Sequence, residues 1–303
     1  MSEQKWTMED APGQAGRVAV VTGSNTGLGL QTALELARAG ARAVLAVRDV
    51  SKGEQAADEI RAQVPGADVV VEKLDLASLD SVRAAGARIL DANPRLDLLI
   101  NNAGIMMPPR STTAEGFESQ FGVNHLGHFV LTATLIERLI ATPGSRVVTV
   151  SSLAHARKDA DIHFDDLNWE RSYDKTAAYA QSKLANLLFT YALQRRLEKA
   201  GASTIADAAH PGWADTDLQR HMPGLLRPLL RLTLQSASMG ALQTLRAACD
   251  PDAKGADYFG PSGRMSAHGY PVRTETSEKS RDVELQERLW KVSEELTDTR
   301  FPL

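Results

Sequence analysis

The chain is poor in cysteine, in net charge and in long apolar runs, and each shortage removes a class of protein. A single cysteine, Cys249, rules out an intrachain disulfide and suits a reducing compartment, where an inert buried thiol is the ordinary outcome. The formal net charge is −4 with both signs scattered, which leaves no electrostatic case for nucleic acid or anionic lipid as a partner. No run approaches a membrane span, and residues 1–16 lack the apolar centre of a secretory signal. No internal repeat, low-complexity tract or linker divides the sequence. At 303 residues, the expectation is a cytoplasmic α/β protein with an N-terminal extension over 1–16 and a single domain over 17–303.

What is present is organised around Val18 to Ala39. Val18 to Val21 are too few for a helix and rich enough in β-branched side chains to form a buried strand. A turn carrying Gly23, Gly27 and Gly29 follows, then Leu30, Ala33, Leu34 and Ala37 at helical spacing. Strand, glycine turn and helix together make an anion seat: glycines admit close backbone approach, and free N–H groups sit at the positive end of the helix dipole. The spacing G-x-x-x-G-x-G departs from the G-x-G-x-x-G fingerprint, and the same glycines could serve only as a tight connection.

Beyond this unit the pattern alternates. Ala43–Val47 reads as a second strand, then a polar helix from Ser51 to about Gln63. Val69–Val71 is a third strand ending near Asp75, and Ser78 caps a helix to Leu90. Leu98–Ile100 is a fourth strand running into Asn101-Asn102-Ala103-Gly104, and Glu115–Ala141 is read as one long helix. Val147–Val150 is a fifth strand, Thr176–Lys199 a strongly amphipathic helix, and Thr204–Ala209 a sixth strand. Leu285, Leu289 and Trp290 mark a further helix within Ser280–Leu303. Apolar strands alternating with helices imply a Rossmann-type doubly wound parallel sheet covered on both faces. Ligands of such sheets lie beyond the carboxyl ends of the strands, so residues there are the candidates.

After the second strand, Arg48 and Asp49 compete. Asp49 lies at the distance from the glycines expected of an acid on the ribose of NAD, whereas an arginine at Arg48 would pair with the 2′-phosphate of NADP. The strand-end position is Val47, which favours NADP. Asp75 either accepts a hydrogen bond from an adenine amino group or caps the next helix. Asn102 to Gly104 offer small residues and amides against a cofactor. On the long helix, Tyr179 and Lys183 stand at i and i+4 and project from one face. A free phenol titrates near about 10, and an adjacent cation lowers that value, which would fit Tyr179 for proton transfer. Ser152, just after the fifth strand, would lie beside Tyr179 and bond a substrate oxygen as charge grows on it.

Thr22-Gly23-x-x-x-Gly27-x-Gly29, Asn101-Asn102-Ala103-Gly104, Ser151-Ser152, Tyr179-x-x-x-Lys183 and Pro211-Gly212 occur in the order seen in the short-chain dehydrogenases/reductases. The resemblance covers almost the whole chain. Asn124-His125-Leu126-Gly127-His128-Phe129, Ser151-Ser152-Leu153-Ala154-His155 and Tyr179-Ala-Gln-Ser-Lys183-Leu-Ala-Asn186 are similar to the retinol dehydrogenase and protochlorophyllide reductase-like branch. The resemblance implies that Tyr179 is the acid/base, that Lys183 holds the nicotinamide ribose and lowers the tyrosine pKa, and that Ser152 orients the carbonyl. It further implies that Asn124 positions a water in the proton relay and that Pro211 to Thr216, including Gly212, contact the nicotinamide end. Gly23, Ser24, Asn25, Thr26, Gly27, Leu28, Gly29, Arg48, Asp75, Leu76, Asn102, Ala103 and Gly104 would complete an NADP(H) site, with NAD(H) as the other cofactor. The implied function interconverts a carbonyl and an alcohol on a lipophilic small molecule, in an assembly that is commonly oligomeric. Animal retinol dehydrogenases of this kind often carry a membrane anchor, and the lack of one here counts against retinoids. The alternatives are C=C reduction on the same fold and a non-catalytic cofactor-binding sensor or scaffold.

Two weaker signals have plainer accounts. His125 and His128 at i, i+3 lack the glutamate of a zinc-protease helix, so helix packing is expected and no metal. Ser152 with His155 lacks a G-x-S-x-G elbow, so His155 is expected to line the substrate side and not to serve a hydrolase. Leu225, Leu226, Leu229, Leu230, Leu232 and Leu234 read as an apolar substrate lid around 213–235, or as core, a subunit contact or a membrane-dipping surface.

Overall fold

The computed structural model describes residues 5–213 and 235–303. Its strands are β1 (Val18–Thr22), β2 (Arg42–Val47), β3 (Val69–Lys73), β4 (Leu98–Asn101), β5 (Arg146–Val150), β6 (Ile205–Ala209), β7 (Tyr258–Pro261) and β8 (Pro271–Arg273). They form one sheet in the order β3-β2-β1-β4-β5-β6-β7-β8, parallel throughout except for the antiparallel β7–β8 pair at its edge. The main helices are α1 (Gly27–Arg38), α2 (Val50–Gln63), α3 (Leu79–Ala92), α4 (Gly127–Ile140), α5 (Lys175–Lys199), α6 (Ala237–Cys249) and α7 (Val283–Thr297). Among the described residues, no helix is long and apolar enough to cross a membrane.

Why the sheet is covered on both faces is visible in β1 itself. Val18 and Val20 enter one core with residues of α3, α4, α5 and α7, while Ala19 and Val21 enter the other with residues of α1, α2 and α6. A strand buried on two sides has no solvent face, hence its unbroken apolar run. Strand order reverses at β1, which pairs with β2 on one side and β4 on the other. The crevice of a doubly wound sheet opens at that switch.

Several elements differ from the sequence expectation, each for a physical reason. Residues 115–118 are not helical: Thr112 bridges Glu118, and the Glu118 carboxylate caps the chain by accepting from the amides of Gln120 and Phe121. One helical turn (Ser119–Phe121) and a π-helical turn (Gly122–Leu126) then precede α4. The helix α5 is not amphipathic. Ala178 through Gln194 are all buried, because the sheet lies on one side and α7 covers the other. The strands β7 and β8 and the helix α6 carried no clear signal. A four-residue strand ending in Gly260-Pro261 lacks the pattern of a core strand and is stabilised by its neighbours instead. Trp6 is buried against α1 and α6 residues, so the part of the N-terminal stretch that is described lies on the core and does not hang free of it. Cys249 is a buried free thiol, and burial pushes it up to about 12, which leaves it protonated and inert as expected.

The C-terminal helix is held by aromatic packing. Trp290 stacks on Phe189 at 5.8 Å, meets Phe129 edge-on at 5.3 Å and touches Phe301 at 4.5 Å. The Arg196 guanidinium lies 3.9 Å over the Trp290 ring and pairs with Glu287 at 2.6 Å. Trp290→Ala is expected to cost about 3–5 kcal/mol by leaving a cavity behind α5. Urea unfolding measures it, and a loss below about 1 kcal/mol would show that α7 is not an integral layer of the core.

Candidate active site

At the end of β1 the chain turns through Gly23 to Thr26 into α1. Here glycine is required first by the protein's own packing. A Cβ at Gly29 would sit 2.5 Å from the Gly23 carbonyl oxygen and 2.6 Å from Asn102 Nδ2, and one at Gly23 would sit 2.9 Å from Ala103 Cα. The Ser24 hydroxyl turns back to donate to the Val21 carbonyl at 2.8 Å, and Leu28 is buried. A cavity of about 320 Å³ opens beside this turn, lined by Asn25, Thr26, Lys52, Gln55, Ala56 and Glu59. Its polar walls and the N-terminus of α1, which begins at Gly27, suit a phosphate-bearing ligand. Lys52 and Gln55 were not singled out from the sequence; their place in the first turns of α2, after the Asp49 cap, was the available signal. Arg48 is exposed at the end of β2. Asp49 caps α2 by accepting from Lys52 N at 3.2 Å.

The floor of the crevice is built from buried side chains that use their hydrogen-bonding groups on the backbone. Thr22 Oγ1 accepts from the amides of Asn102 (3.0 Å) and Ala103 (2.9 Å), and Asn102 Nδ2 donates to Thr22 O at 2.8 Å. His128 lies between Thr22 Oγ1 (2.9 Å from Nε2) and Asn124 O (3.1 Å from Nδ1), and burial holds its pKa at about 4. His125 contacts Ser293 Oγ at 2.8 Å and stays neutral, with burial lowering it to about 3. Both histidines are thus packing residues, and among the described residues no group of three His, Cys, Asp or Glu is placed to hold a metal ion. Asp75 makes an Asx turn, accepting from Ala77 N at 3.0 Å, while Ser78 caps α3. Leu76 is buried, with its carbonyl against Gly127.

Asn124, Ser152, Tyr179 and Lys183 come together beyond β4 and β5. The π-helical turn carries Asn124, whose Oδ1 accepts from Ile105 N at 2.8 Å while Nδ2 donates to Ile105 O (3.0 Å) and to Ser182 Oγ (2.9 Å). Both amide hydrogens are therefore engaged in stapling the loop after Gly104 to α5. A Cβ at Gly104 would lie 3.2 Å from Asn124 Oδ1 and 3.6 Å from Lys183 Nζ, which places all three at one spot. Ser152 lies two residues beyond β5 and caps a short turn, its Oγ accepting from Ala154 N at 3.2 Å. That bond uses an acceptor position and leaves the hydroxyl hydrogen to donate. The Lys183 ammonium is buried, donates to Val150 O at 3.1 Å, and stands 5.7 Å from the centre of the Tyr179 ring.

The electrostatics of this pair differ from the sequence expectation. Burial raises the Tyr179 phenol to about 12, with its hydrogen bond to Ser152 pulling the other way. Burial also lowers Lys183 to about 8. The helix spacing does place the two side chains together, yet the cost of desolvating a phenolate outweighs the proximity of the cation. Without a ligand the phenol is neutral. His155 differs from the expectation as well: it does not line an open substrate side but is buried, with its ring nitrogens on Ser152 O and Ser277 N.

The profile of the short chain dehydrogenase family matches residues 17–163. Retinol dehydrogenase 12 of Mus musculus is 45% identical over 285 residues, 93% of this chain and 86% of that protein. The chain belongs to the short-chain dehydrogenase family, in its retinol dehydrogenase-like branch. Retinol dehydrogenase 13 of Homo sapiens is 53% identical over 207 residues, 68% of this chain and 61% of its own length. A crystal structure of a protein from Mycobacterium Paratuberculosis, 45% identical, superposes with a TM-score of 0.82 over 99% of this chain and 100% of its own. The chain is accordingly an NAD(P)-dependent oxidoreductase.

The residues present fit the dinucleotide that short-chain dehydrogenases use. The polar cavity and the α1 N-terminus suit its phosphates, and at the other end Lys183 has ammonium hydrogens beyond the one given to Val150 O, facing Gly104. Beyond β6, Gly212 adopts φ +67 and donates to His210 Nδ1 at 3.2 Å, and Pro211 O accepts from the Gln235 side chain. Thr216 and the leucines of the expected lid, Leu225 to Leu234, lie outside the described residues.

Proposed function

We propose that this short-chain dehydrogenase interconverts a carbonyl and an alcohol on a lipophilic small molecule with NADP(H). The observation that carries the reading is the convergence of Ser152, Tyr179 and Lys183 at the sheet's switch-point crevice. Bound NADP(H) supplies or accepts the hydride at the substrate carbon. Ser152, its acceptor side held by Ala154 N, donates to the substrate oxygen and stabilises charge that grows there. Tyr179 gives its proton to that oxygen in reduction and takes it back in oxidation. Lys183 would hold the cofactor through its ribose, and its ammonium stands beside the phenol. Asn124 keeps the Gly104–Ile105 loop against α5, so that these groups retain their spacing.

Cofactor choice follows from the end of β2. Asp49 is committed to the α2 cap, whereas Arg48 is exposed without an ion pair among the described residues, and Lys52 lines the adjoining cavity. An arginine at the strand end, with Asp49 held in the cap and also 3.9 Å from Lys52, favours a 2′-phosphate over a bare hydroxyl, against the Glu59 carboxylate that lines the same cavity. The lipophilic substrate is supported by two features. One is that the relatives are named for retinol, and the other is the apolar character of the leucine-rich stretch Leu225 to Leu234 in the sequence.

Tyr179→Phe is expected to keep NADPH affinity and to lose about 10²–10⁴-fold in kcat on lipophilic aldehydes. Full turnover in that variant would overturn the mechanism. Arg48→Ala is expected to weaken NADPH by about tenfold or more while leaving NADH nearly unchanged. Equal weakening of both, in fluorescence titrations, would refute the role of Arg48.

A further inference from the structure

We infer that His155 is a positioning residue for Ser152, and that the backbone N–H of Ser277 fixes the tautomer in which it does so. The inference rests on the reading of Ser152 and Tyr179 as an oxidoreductase site. The chain leaves β5 at Val150, passes Ser151 and Ser152 and winds through the short turn Leu153–Ala156. Two bonds converge on the Ser152 carbonyl: the His155 amide at 3.1 Å and the His155 ring nitrogen Nδ1 at 2.6 Å. The opposite ring nitrogen, Nε2, accepts from Ser277 N at 3.2 Å. A nitrogen that accepts an N–H carries no proton, so the single ring proton resides on Nδ1 and points at Ser152 O.

The imidazole has little freedom to leave this arrangement. It is 3% exposed, and the Tyr258 ring, itself 5.3 Å from the His210 ring, meets it edge-on at 5.5 Å. Among the described residues Tyr258 and His210 are the titratable rings recorded beside it, and burial favours the neutral form of both histidines. Ser277 is in turn held from the long helix, where the Tyr191 hydroxyl donates to Thr276 Oγ1 at 3.0 Å, and from Lys279, which donates to Ala160 O at 2.8 Å. A segment 122 residues further along the chain therefore sets the proton position of His155. With its carbonyl pinned twice and its Oγ accepting from Ala154 N, Ser152 has one orientation in which to meet Tyr179 and the substrate oxygen. His155 touches neither; it acts through the serine.

The test compares His155→Leu, His155→Asn, Ser277→Pro and Ser277→Ala with the wild type. Leucine removes the donor to Ser152 O, asparagine keeps an N–H near the position of Nδ1, and proline suits the φ of −59 at Ser277 while removing the N–H that sets the tautomer. The His155→Leu variant is expected to lose about 10²-fold in kcat with KM and NADPH affinity nearly unchanged, the size of effect that a misplaced catalytic group produces. The pH limb governed by Tyr179 should move to higher pH, because a disordered Ser152 no longer favours the phenolate. His155→Asn should recover most of kcat, and Ser277→Pro, which removes the N–H and sets a ring carbon against Nε2, should reproduce part of the loss and the same direction of pH shift, while Ser277→Ala, which keeps the N–H, should not. Unaltered kcat and pH profile in a folded His155→Leu or Ser277→Pro protein would overturn the inference, as would equal losses in His155→Leu and His155→Asn. A wild type that turns over no carbonyl or alcohol would instead overturn the underlying reading of the site.

Discussion

The structure depends on keeping an ammonium and a phenol out of water at the carboxyl edge of a parallel sheet. Lys183 and Tyr179 sit in the buried middle of α5, and the carbonyl of Val150, at the end of β5, is the hydrogen-bond acceptor that burial provides for the lysine. Desolvation works against both charged forms, raising the phenol and lowering the amine. A buried lysine with one acceptor among the described residues is an incomplete site in the chemical sense: on the proposed function, the donors left over are taken by a cofactor ribose. That incompleteness, more than the proximity of the two side chains, links the fold to cofactor-dependent chemistry.

Much of the rest serves to hold this pair still. The helix α7 and its aromatic cluster bury the face of α5 that points away from the sheet. Asn124 fastens the loop after β4 to α5 beside Ser182, whose hydroxyl in turn donates to Tyr179 O at 2.8 Å. Thr22 and His128 tie the ends of β1 and β4 to the start of α4. Buried polar groups of this kind are costly unless fully partnered, and here the partners are backbone groups at strand ends, which fixes where each strand stops.

What the sequence made legible and what it did not divides along the same line. Unbroken apolar runs marked β1, β2, β4 and β5, because a strand covered on two faces needs no polar alternation. The order of the glycine turn, Ser152, Tyr179 and Lys183 pointed to the crevice before any coordinates. Burial was not legible: the i, i+4 spacing of Tyr179 and Lys183 is the same on a wet helix as on a dry one, and only the burial that the fold imposes decides the sign of the phenol's shift. The partner of His155 was equally hidden, since Ser277 has no motif and reaches it only through the fold. The reach of Glu118 into the first turn before α4 broke a helix that periodicity alone had extended through Glu115. The strands β7 and β8 are short and rich in glycine and proline, so neighbours and not local preference define them.

The titration of the Tyr179 phenol, followed by NMR of carbon-labelled tyrosine with Tyr179→Phe as the assignment control, decides whether desolvation governs the Tyr179 and Lys183 pair. The account predicts that in cofactor-free protein Tyr179 remains protonated where free tyrosine, at about 10, is already half ionised. It also predicts that saturation with NADP moves the transition to lower pH. A phenol that ionises at or below the ordinary tyrosine range without cofactor would contradict it.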